Sequence, residues 1–223
     1  MDAGALRVPL ATVGAMRGET VDERDAAWES FDARYRVFVY AGPDAAAKSI
    51  DIVDASLHEV MDSTRALAEN DRNMWSLALV MDAAEPRGRG LVWLSGMDYH
   101  RAPACAFEWR LRAEMQDRYL SARSRRGETV VLPNDLRVVR MFPEWGVTWP
   151  LWESFTDNYP MDAAALSLSD ALAGDLAAWN DRWQDRGLDD PLPAHWRGEG
   201  WALYRRLQAE LDGIAEVRPD FGG

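Results

Sequence analysis

Four apolar side chains at helical spacing, late in the chain, constrain its fold more than any other feature. Between residues 170 and 186, positions i, i+4, i+7 and i+11 are occupied by Leu172, Leu176, Trp179 and Trp183. This spacing places all four on one face of an α-helix. Because two leucines and two tryptophans on one face must be buried, the helix must pack against a further layer of structure.

A second helix is predicted from Trp196 to Leu211, after a loop that contains Gly187 and two prolines. Its apolar face consists of Leu203, Leu207 and Leu211, so the two helices should form a hairpin around a shared core. Gly198 and Gly200 weaken the first turns of this helix. We therefore expect them to be present because a bulky tryptophan packs closely against the helix.

The remaining pattern mixes strands and helices without strict alternation. Capping boxes predict helices over 20–31 (Thr20 with Glu23) and over 56–69 (Ser56 with Glu59). A longer helix is predicted over 106–125, with the acid–base pairs Glu108–Arg112 and Glu114–Arg118 along its surface. Strands are predicted at 35–40, 75–81, 91–97, 136–142 and 214–218, with a weaker one at 129–132, and the second and third form a hairpin. This is an α+β chain with a mixed or antiparallel sheet and packed helices.

Charge and tryptophan content divide the chain near residue 133. Residues 1–133 carry 17 basic and 21 acidic side chains, a net of −4, whereas residues 134–223 carry 8 and 16, a net of −8. The second part also holds seven of the eleven tryptophans. We predict an α+β N-terminal domain over 1–133 and an acidic, Trp-rich C-terminal domain over 134–223, dominated by the two helices.

The overall composition excludes several classes of protein. The net charge of −12 argues against nonspecific binding to nucleic acid or to an anionic membrane, because both require a basic surface. Cys105 is the only cysteine, so an intrachain disulfide is excluded. The mildly apolar stretch from Val8 to Met16 contains Pro9 and Gly14 and is short for a signal peptide, which favours a loose or strand-like N-terminal arm. We expect a cytoplasmic protein.

One short segment holds the residue types of nucleophilic catalysis. Asp98, His100 and Cys105 lie within eight positions of each other, after the predicted hairpin. A histidine beside a cysteine can lower the effective pKa of the thiol, and catalytic groups often gather on such loops. The alternative is structural, because Cys105 precedes an amphipathic helix where a small buried thiol would fit. No phosphate-binding or metal-binding motif is present, and we expect neither a cofactor nor a metal.

A second candidate site lies in an aromatic segment over 143–160, which four helix breakers interrupt. Its candidate binding residues are Trp145, Trp149, Trp152, Glu144, Glu153 and Asp157. Tryptophan platforms with paired acids such as Glu144 and Glu153 are found in saccharide-binding and glycosidase clefts. Tryptophans in such numbers are also common in protein cores and protein–protein interfaces. Since no periodicity predicts that Trp145, Trp149 and Trp152 are buried, this segment is our first choice for a partner surface.

The C-terminal third resembles a module found in uncharacterised proteins of high-GC, actinobacterial-type bacteria. The resemblance rests on LSLSDALAGDLAAWNDRW (166–183) and WRGEGWALYRRLQAEL (196–211). Trp179, Arg182, Trp183, Glu199 and Gly200 match the pattern of that module. It covers about residues 145 to 218. The resemblance implies a fold unit and transfers no activity.

Two classes of function remain open. An acidic, tryptophan-rich chain suits a non-enzymatic protein that binds a basic partner protein, as toxin-neutralising immunity proteins and inhibitors do. The alternative is a hydrolase-like enzyme with a site near Asp98, His100 and Cys105, or a saccharide site near Glu144 and Glu153. We favour the protein-binding hypothesis, because each group of candidate catalytic residues also has a structural explanation.

Overall fold

The computed structural model describes residues 20–22, 24–26, 28–82, 88–161, 164–187 and 190–221. By spatial contact the chain divides into two units, Met1–Phe31 with Gly223 and Asp32–Gly222. All helices and strands named below lie in the second unit. Among the described residues, none of the helices combines the length and the apolarity that crossing a membrane requires.

The first sheet, sheet A, has four antiparallel strands in the spatial order β2-β1-β3-β4. Its strands are β1 (Tyr35–Ala41), β2 (Ala46–Ile52), β3 (Met74–Asp82) and β4 (Arg89–Ser95). Side chains alternate between its faces, so that Val37 and Val39 lie in one core cluster and Tyr40 in another. The middle of this sheet is therefore buried on both faces, as alternating apolar residues on both sides require.

One helix covers each face of sheet A. Helix α1 (Leu57–Leu67) begins at the predicted capping box, in which the Glu59 N–H donates to Ser56 Oγ and the Ser56 N–H donates to the Glu59 carboxylate. It packs Val60 against one face. Helix α2 (Ala106–Arg125) packs Met115 against the other. The result is a three-layer arrangement, α1–sheet A–α2.

The second sheet, sheet B, has three strands in the order β6-β5-β7. They are β5 (Arg137–Met141), β6 (Leu151–Trp152) and β7 (Ala215–Pro219), and β5 runs parallel to β7 and antiparallel to β6. Helices α3 (Asp170–Gln184) and α4 (Trp196–Glu210) share one hydrophobic core with these strands. The predicted α+β class, with one antiparallel and one mixed sheet and a C-terminal helical hairpin, is confirmed.

Helix α2 is the layer between the two sheets. Its residues Met115 and Tyr119 share a core cluster with Val138 of β5, while Arg112 pairs with Glu216 of β7. The layers thus follow the order α1, sheet A, α2, sheet B, α3 with α4. The boundary predicted near residue 133 falls in the loop between α2 and β5, and the division into two domains stays a prediction.

The acid–base pairs predicted along the surface of α2 do not form, because α2 lies between the two sheets. Arg112 turns to Glu216, and Arg118 stacks its guanidinium 3.7 Å from the centre of the Trp75 ring and donates to the Trp75 carbonyl. Glu108 instead pairs with Arg101. The i, i+4 pairs were expected for a helix with one solvated face, whereas α2 contacts protein on two sides and its arginines reach into both.

The helix predicted over 20–31 is also wrong for the described residues in that range, none of which is helical. The capping-box pattern there precedes no buried stripe, because Val21, Trp28 and Phe31 are all largely exposed. Short helices without tertiary packing are unstable in water. The stretch from Val8 to Met16 lies outside the described residues.

Smaller differences occur in the strands. The weak strand predicted at 129–132 is an irregular segment, while β2 and the two-residue β6 were not predicted. Strand β2 reads AAKSIDI and is mostly exposed, so it carries little of the aromatic and β-branched signal that marks a strand. It is held by pairing with β1 along its whole length.

The hairpin of α3 and α4 is built around Gly200. A Cβ added to Gly200 would lie 2.7 Å from Phe221 Cε2 and 3.0 Å from Trp179 Cζ2. The expected close packing against a tryptophan is confirmed at this position. It is wrong for Gly198, where a Cβ would meet no atom within 4 Å.

Candidate functional site

A short loop from Glu144 to Thr148 is fixed to the end of α3 by side-chain amides. The Gln184 Nε2–H donates to the Glu144 carbonyl at 2.6 Å, and the Gly146 N–H donates to Gln184 Oε1 at 3.1 Å. The buried Asn180 Nδ2–H donates to the Val147 carbonyl at 2.9 Å. These bonds satisfy the loop's backbone and hold it against the helix in one position.

The loop presents Trp145 on the surface, next to a second tryptophan. The ring centres of Trp145 and Trp183 are 4.5 Å apart, and the guanidinium of Arg186 lies 5.2 Å from the first ring and 4.7 Å from the second. Trp145 is 41% exposed. Arg186 Nε is buried and has no hydrogen-bond partner among the described residues, and one Nη donates to the Asp190 carbonyl. Two rings held together with one cation in this way form a preorganised aromatic surface.

Exposed carboxylates lie close to these rings in the sequence. Glu144 precedes Trp145 in the loop, Asp181 lies in the last turn of α3, and Asp185 directly follows that helix. Within the described part of the chain none of the three forms an ion pair. Other acids of this region are neutralised: Glu199 pairs with Arg182. We call the acidic tryptophan patch the contacting residues Trp145, Trp183 and Arg186 together with the exposed acids next to them in the sequence, Glu144, Asp181 and Asp185.

The other two tryptophans of the predicted site lie inside the fold. Trp152 is 2% exposed, stacks on Phe142 at 5.0 Å, and donates its Nε1–H to the Phe142 carbonyl. Trp149 packs against the core of α3 and α4, and its buried Nε1–H has no hydrogen-bond partner in the part of the chain that the structure describes. Of the three tryptophans, Trp145 therefore offers the largest accessible surface to a partner.

The three acids of the predicted site occupy different environments. Glu153 is 6% exposed, and both its oxygens accept from Arg137, at 2.6 and 2.7 Å. This bond raises the pKa of the Arg137 guanidinium. Glu144 and Asp157 are exposed. Since Glu153 is fully engaged by Arg137, its role in this structure is to hold strand β5 to the segment after β6.

The residues of the predicted nucleophilic site are spread along a surface loop. The His100 Nε2–H donates to the Ala45 carbonyl at 3.0 Å. Asp98 accepts from the His100 backbone N–H, so its carboxylate orients the loop and not the imidazole. Cys105 is exposed at the start of α2 and makes no capping hydrogen bond, which corrects the expectation of a small buried thiol.

A cleft of about 280 Å³ lies beside His100. Tyr99, Arg112, Tyr204 and Glu216 also line it, and neither Asp98 nor Cys105 does. Burial, and then the Glu216 carboxylate, raise the pKa of both tyrosine phenols. Arg112 and Glu216 bind each other here, at 2.6 and 2.9 Å. Among the residues that the structure describes, no three histidine, cysteine or acidic side chains are grouped as metal ligands.

Sequence reasoning missed part of the acidic tryptophan patch. Trp183 packs against the core, as the stripe on α3 predicted, but it is only half-buried and its ring also contacts Trp145 at the surface. Arg186, Asp181 and Asp185 were not singled out at all. The available signal was the spacing of Trp183 and Arg186, three residues apart at the end of the helix predicted over 170–186.

A family model described as Serratia CdiI immunity protein-like matches residues 137–218. The match covers 82 of the 223 residues, from the start of β5 to β7. No curated protein and no solved structure matches the chain.

Proposed function

We propose that this chain is an immunity-type protein that binds a toxic partner protein and neutralises it, and that the acidic tryptophan patch is its contact surface. The observation that carries this proposal is the immunity protein-like match over residues 137–218. All six residues of the patch lie within that range. The patch thus belongs to the part of the chain for which a protein-binding role has independent support.

The geometry of the patch suits protein recognition. Energetically important contacts in interfaces are enriched in tryptophan and arginine held in well-packed positions. Trp145 is such an anchor, because Gln184 and Asn180 fix its loop and Trp183 supports its ring. A side chain that is ordered before binding loses little entropy on binding.

The charges of the patch indicate a basic partner protein. Glu144, Asp181 and Asp185 are exposed without ion pairs among the described residues, and the chain as a whole carries −12. Such a surface attracts a basic partner over a distance and repels nucleic acid and anionic membranes. The exposed free thiol of Cys105 suits a reducing compartment, which supports a cytoplasmic location.

The first test is neutralisation. The full chain is used to capture partners from the native cell at low salt, and the protein encoded beside it is expressed as a candidate toxin. We expect co-expression of the full chain to restore growth of cells that produce this toxin. Failure to restore growth by the full chain, together with no binding between the purified pair, would overturn the proposal.

The second test locates the surface. Trp145→Ala should weaken the complex by about 2 kcal/mol, a dissociation constant about 30-fold higher, as measured by calorimetry. Phe107→Ala is the matched control, because Phe107 is an exposed aromatic residue on α2, 56% exposed and outside the matched range. Equal losses of affinity in the two variants would show that the patch is not the contact surface.

A further inference from the structure

The two edge strands of sheet A, β2 and β4, differ in their charged side chains. Strand β2, at one edge, carries the chain's only lysine, Lys48, and the Arg36–Asp51 ion pair joins it to β1. Charged side chains on an edge strand prevent pairing with other chains. Strand β4, at the other edge, has no charged residue between Gly90 and Ser95. In a chain with 28% charged residues, this edge lacks charge protection between residues 90 and 95, and it bulges at Leu94.

Strand β4 also exposes large apolar side chains. Val92 is 51% exposed, Leu94 43% and Leu91 37%. Trp93 instead packs against the core and contacts Phe38 at 5.3 Å. Strand β3 pairs with one side of β4, and among the described strands no other pairs with it. An edge strand with exposed apolar side chains and backbone groups that no described strand pairs with is a template for strand addition.

We propose that β4 pairs with β4 of a second copy of this chain, so that two copies of sheet A form one continuous antiparallel sheet. The two-fold axis passes perpendicular to the sheet at Val92, which is the middle of the three exposed apolar positions. Such an axis keeps each face of the sheet on its own side. Isologous contacts of this kind are the commonest way in which identical chains associate.

The side chains of β4 fit this pairing on both sides of the axis. Val92 meets the second copy's Val92 and Leu91 meets Trp93, while Gly90 meets Leu94, the residue at which β4 bulges against β3. Arg89 meets Ser95 and is already paired with Asp82 at 2.8 Å. No like charges face each other across the axis, although the chain carries −12 overall.

The chemistry of β4 also separates it from the partner surface proposed above. The acidic tryptophan patch combines exposed carboxylates with aromatic rings, whereas β4 is uncharged between residues 90 and 95 and its large exposed side chains are aliphatic. A basic partner has no charged group to recognise on β4. The two surfaces are therefore assigned to different occupants, and each can be tested without the other.

The test is the molar mass of the full chain in solution, measured by light scattering over a range of concentrations. We expect the mass to rise toward twice 25.1 kDa at concentrations on the order of tens of micromolar, as for a weak dimer. Val92→Lys places a charge on the axis and should keep the mass at 25.1 kDa. Its thermal unfolding should match the unsubstituted chain, because Val92 is half-exposed.

The matched control is Ser49→Lys, which adds the same charge to the exposed opposite edge, β2, and should dimerise as the unsubstituted chain does. A mass of 25.1 kDa for the unsubstituted chain at every concentration overturns the proposal. So does equal dimerisation of the two variants. If Val92→Lys instead abolishes binding to a captured partner while the free chain is monomeric, β4 serves that partner and not a second copy.

Discussion

Trp179 and Trp196 bind each other through both their rings and their backbones. The rings stack with centres 4.3 Å apart and planes 12° from parallel, and each indole N–H donates to the backbone carbonyl of the other residue, at 3.0 and 3.1 Å. Both side chains are buried. Because each indole N–H is satisfied, two large polar-tipped side chains are buried here without an unpaired donor. The pair fixes the register of α3 against α4.

Gly200 should not tolerate a methyl group beside this pair. A Cβ there would lie within 3.0 Å of two rigid rings, those of Phe221 and Trp179. We expect Gly200→Ala to lower the free energy of unfolding by about 2 kcal/mol, since the cost of overpacking exceeds the gain in helix propensity. Gly198→Ala, on the same helix in open space, should raise it by up to about 1 kcal/mol. Urea denaturation measures both, and stabilisation by both would contradict the packing described here.

The buried pair of Arg112 and Glu216 should matter more than exposed pairs. Their side chains are 12% and 15% exposed, and Gln116 and the Tyr99 carbonyl complete the bonds of the pair. Glu216→Ala leaves the arginine buried without its counter-ion, so we expect a loss of about 3 kcal/mol in unfolding free energy. Glu199→Ala breaks an exposed pair with Arg182 and should cost about 0.5 kcal/mol or less. Similar losses in the two variants would show that the buried pair contributes no more than a surface one.

Stability should decline in alkaline solution because of buried tyrosines. Burial raises the pKa of Tyr99, Tyr40 and Tyr204 above the ordinary 10.0. The unfolded chain therefore loses these protons first, and the stabilisation present below about pH 10 is lost as the pH rises toward the folded-state pKa values. Tyr99→Phe should lessen this decline in the unfolding free energy between about pH 9 and pH 11. An unchanged decline would exclude Tyr99 as a contributor.

Salt should weaken the proposed complex through the exposed acids of the patch. Glu144→Gln combined with Asp181→Asn removes two unpaired carboxylates, and we expect the association rate at low salt to fall by about tenfold. The dissociation rate should change less, because exposed charges act mainly on the rate of encounter. Asp44→Asn combined with Asp212→Asn changes the net charge equally at exposed positions outside the patch and serves as the control. If the association rate falls equally in the two double variants, the attraction between the partners depends on net charge alone and not on the patch.

Local patterns predicted most of the fold. The capping box of Ser56 and Glu59, the stripe on α3 and the bounds of α2 all follow from signals within a few residues, and the structure confirms them. What the sequence could not reveal depends on distant contacts. Arg112 and Arg118 had acidic neighbours one turn away, yet they bind groups on sheets that lie on either side of α2.

The candidate surface was only partly predictable for the same reason. Trp145 and Trp152 occupy similar positions in a proline-broken segment, with no periodicity to distinguish them. Strand β5 decides the outcome, because pairing with β6 buries Trp152 while the loop before it leaves Trp145 exposed. The role of Trp183 depends on the docking of that loop by Gln184, which no local pattern encodes.

The position of α2 between two sheets has a consequence for the order of folding. Its polar groups Arg112, Gln116 and Asp117 find their partners, Glu216 and Arg218, on β7, about a hundred residues later in the chain. During synthesis, α2 can pack on sheet A early, but these polar groups form their hydrogen bonds only after β7 has been made. Contacts so distant in sequence are formed late and slow the final step of folding. Strand β7 therefore completes the fold, because its side chains supply the hydrogen-bond partners of these polar groups of α2.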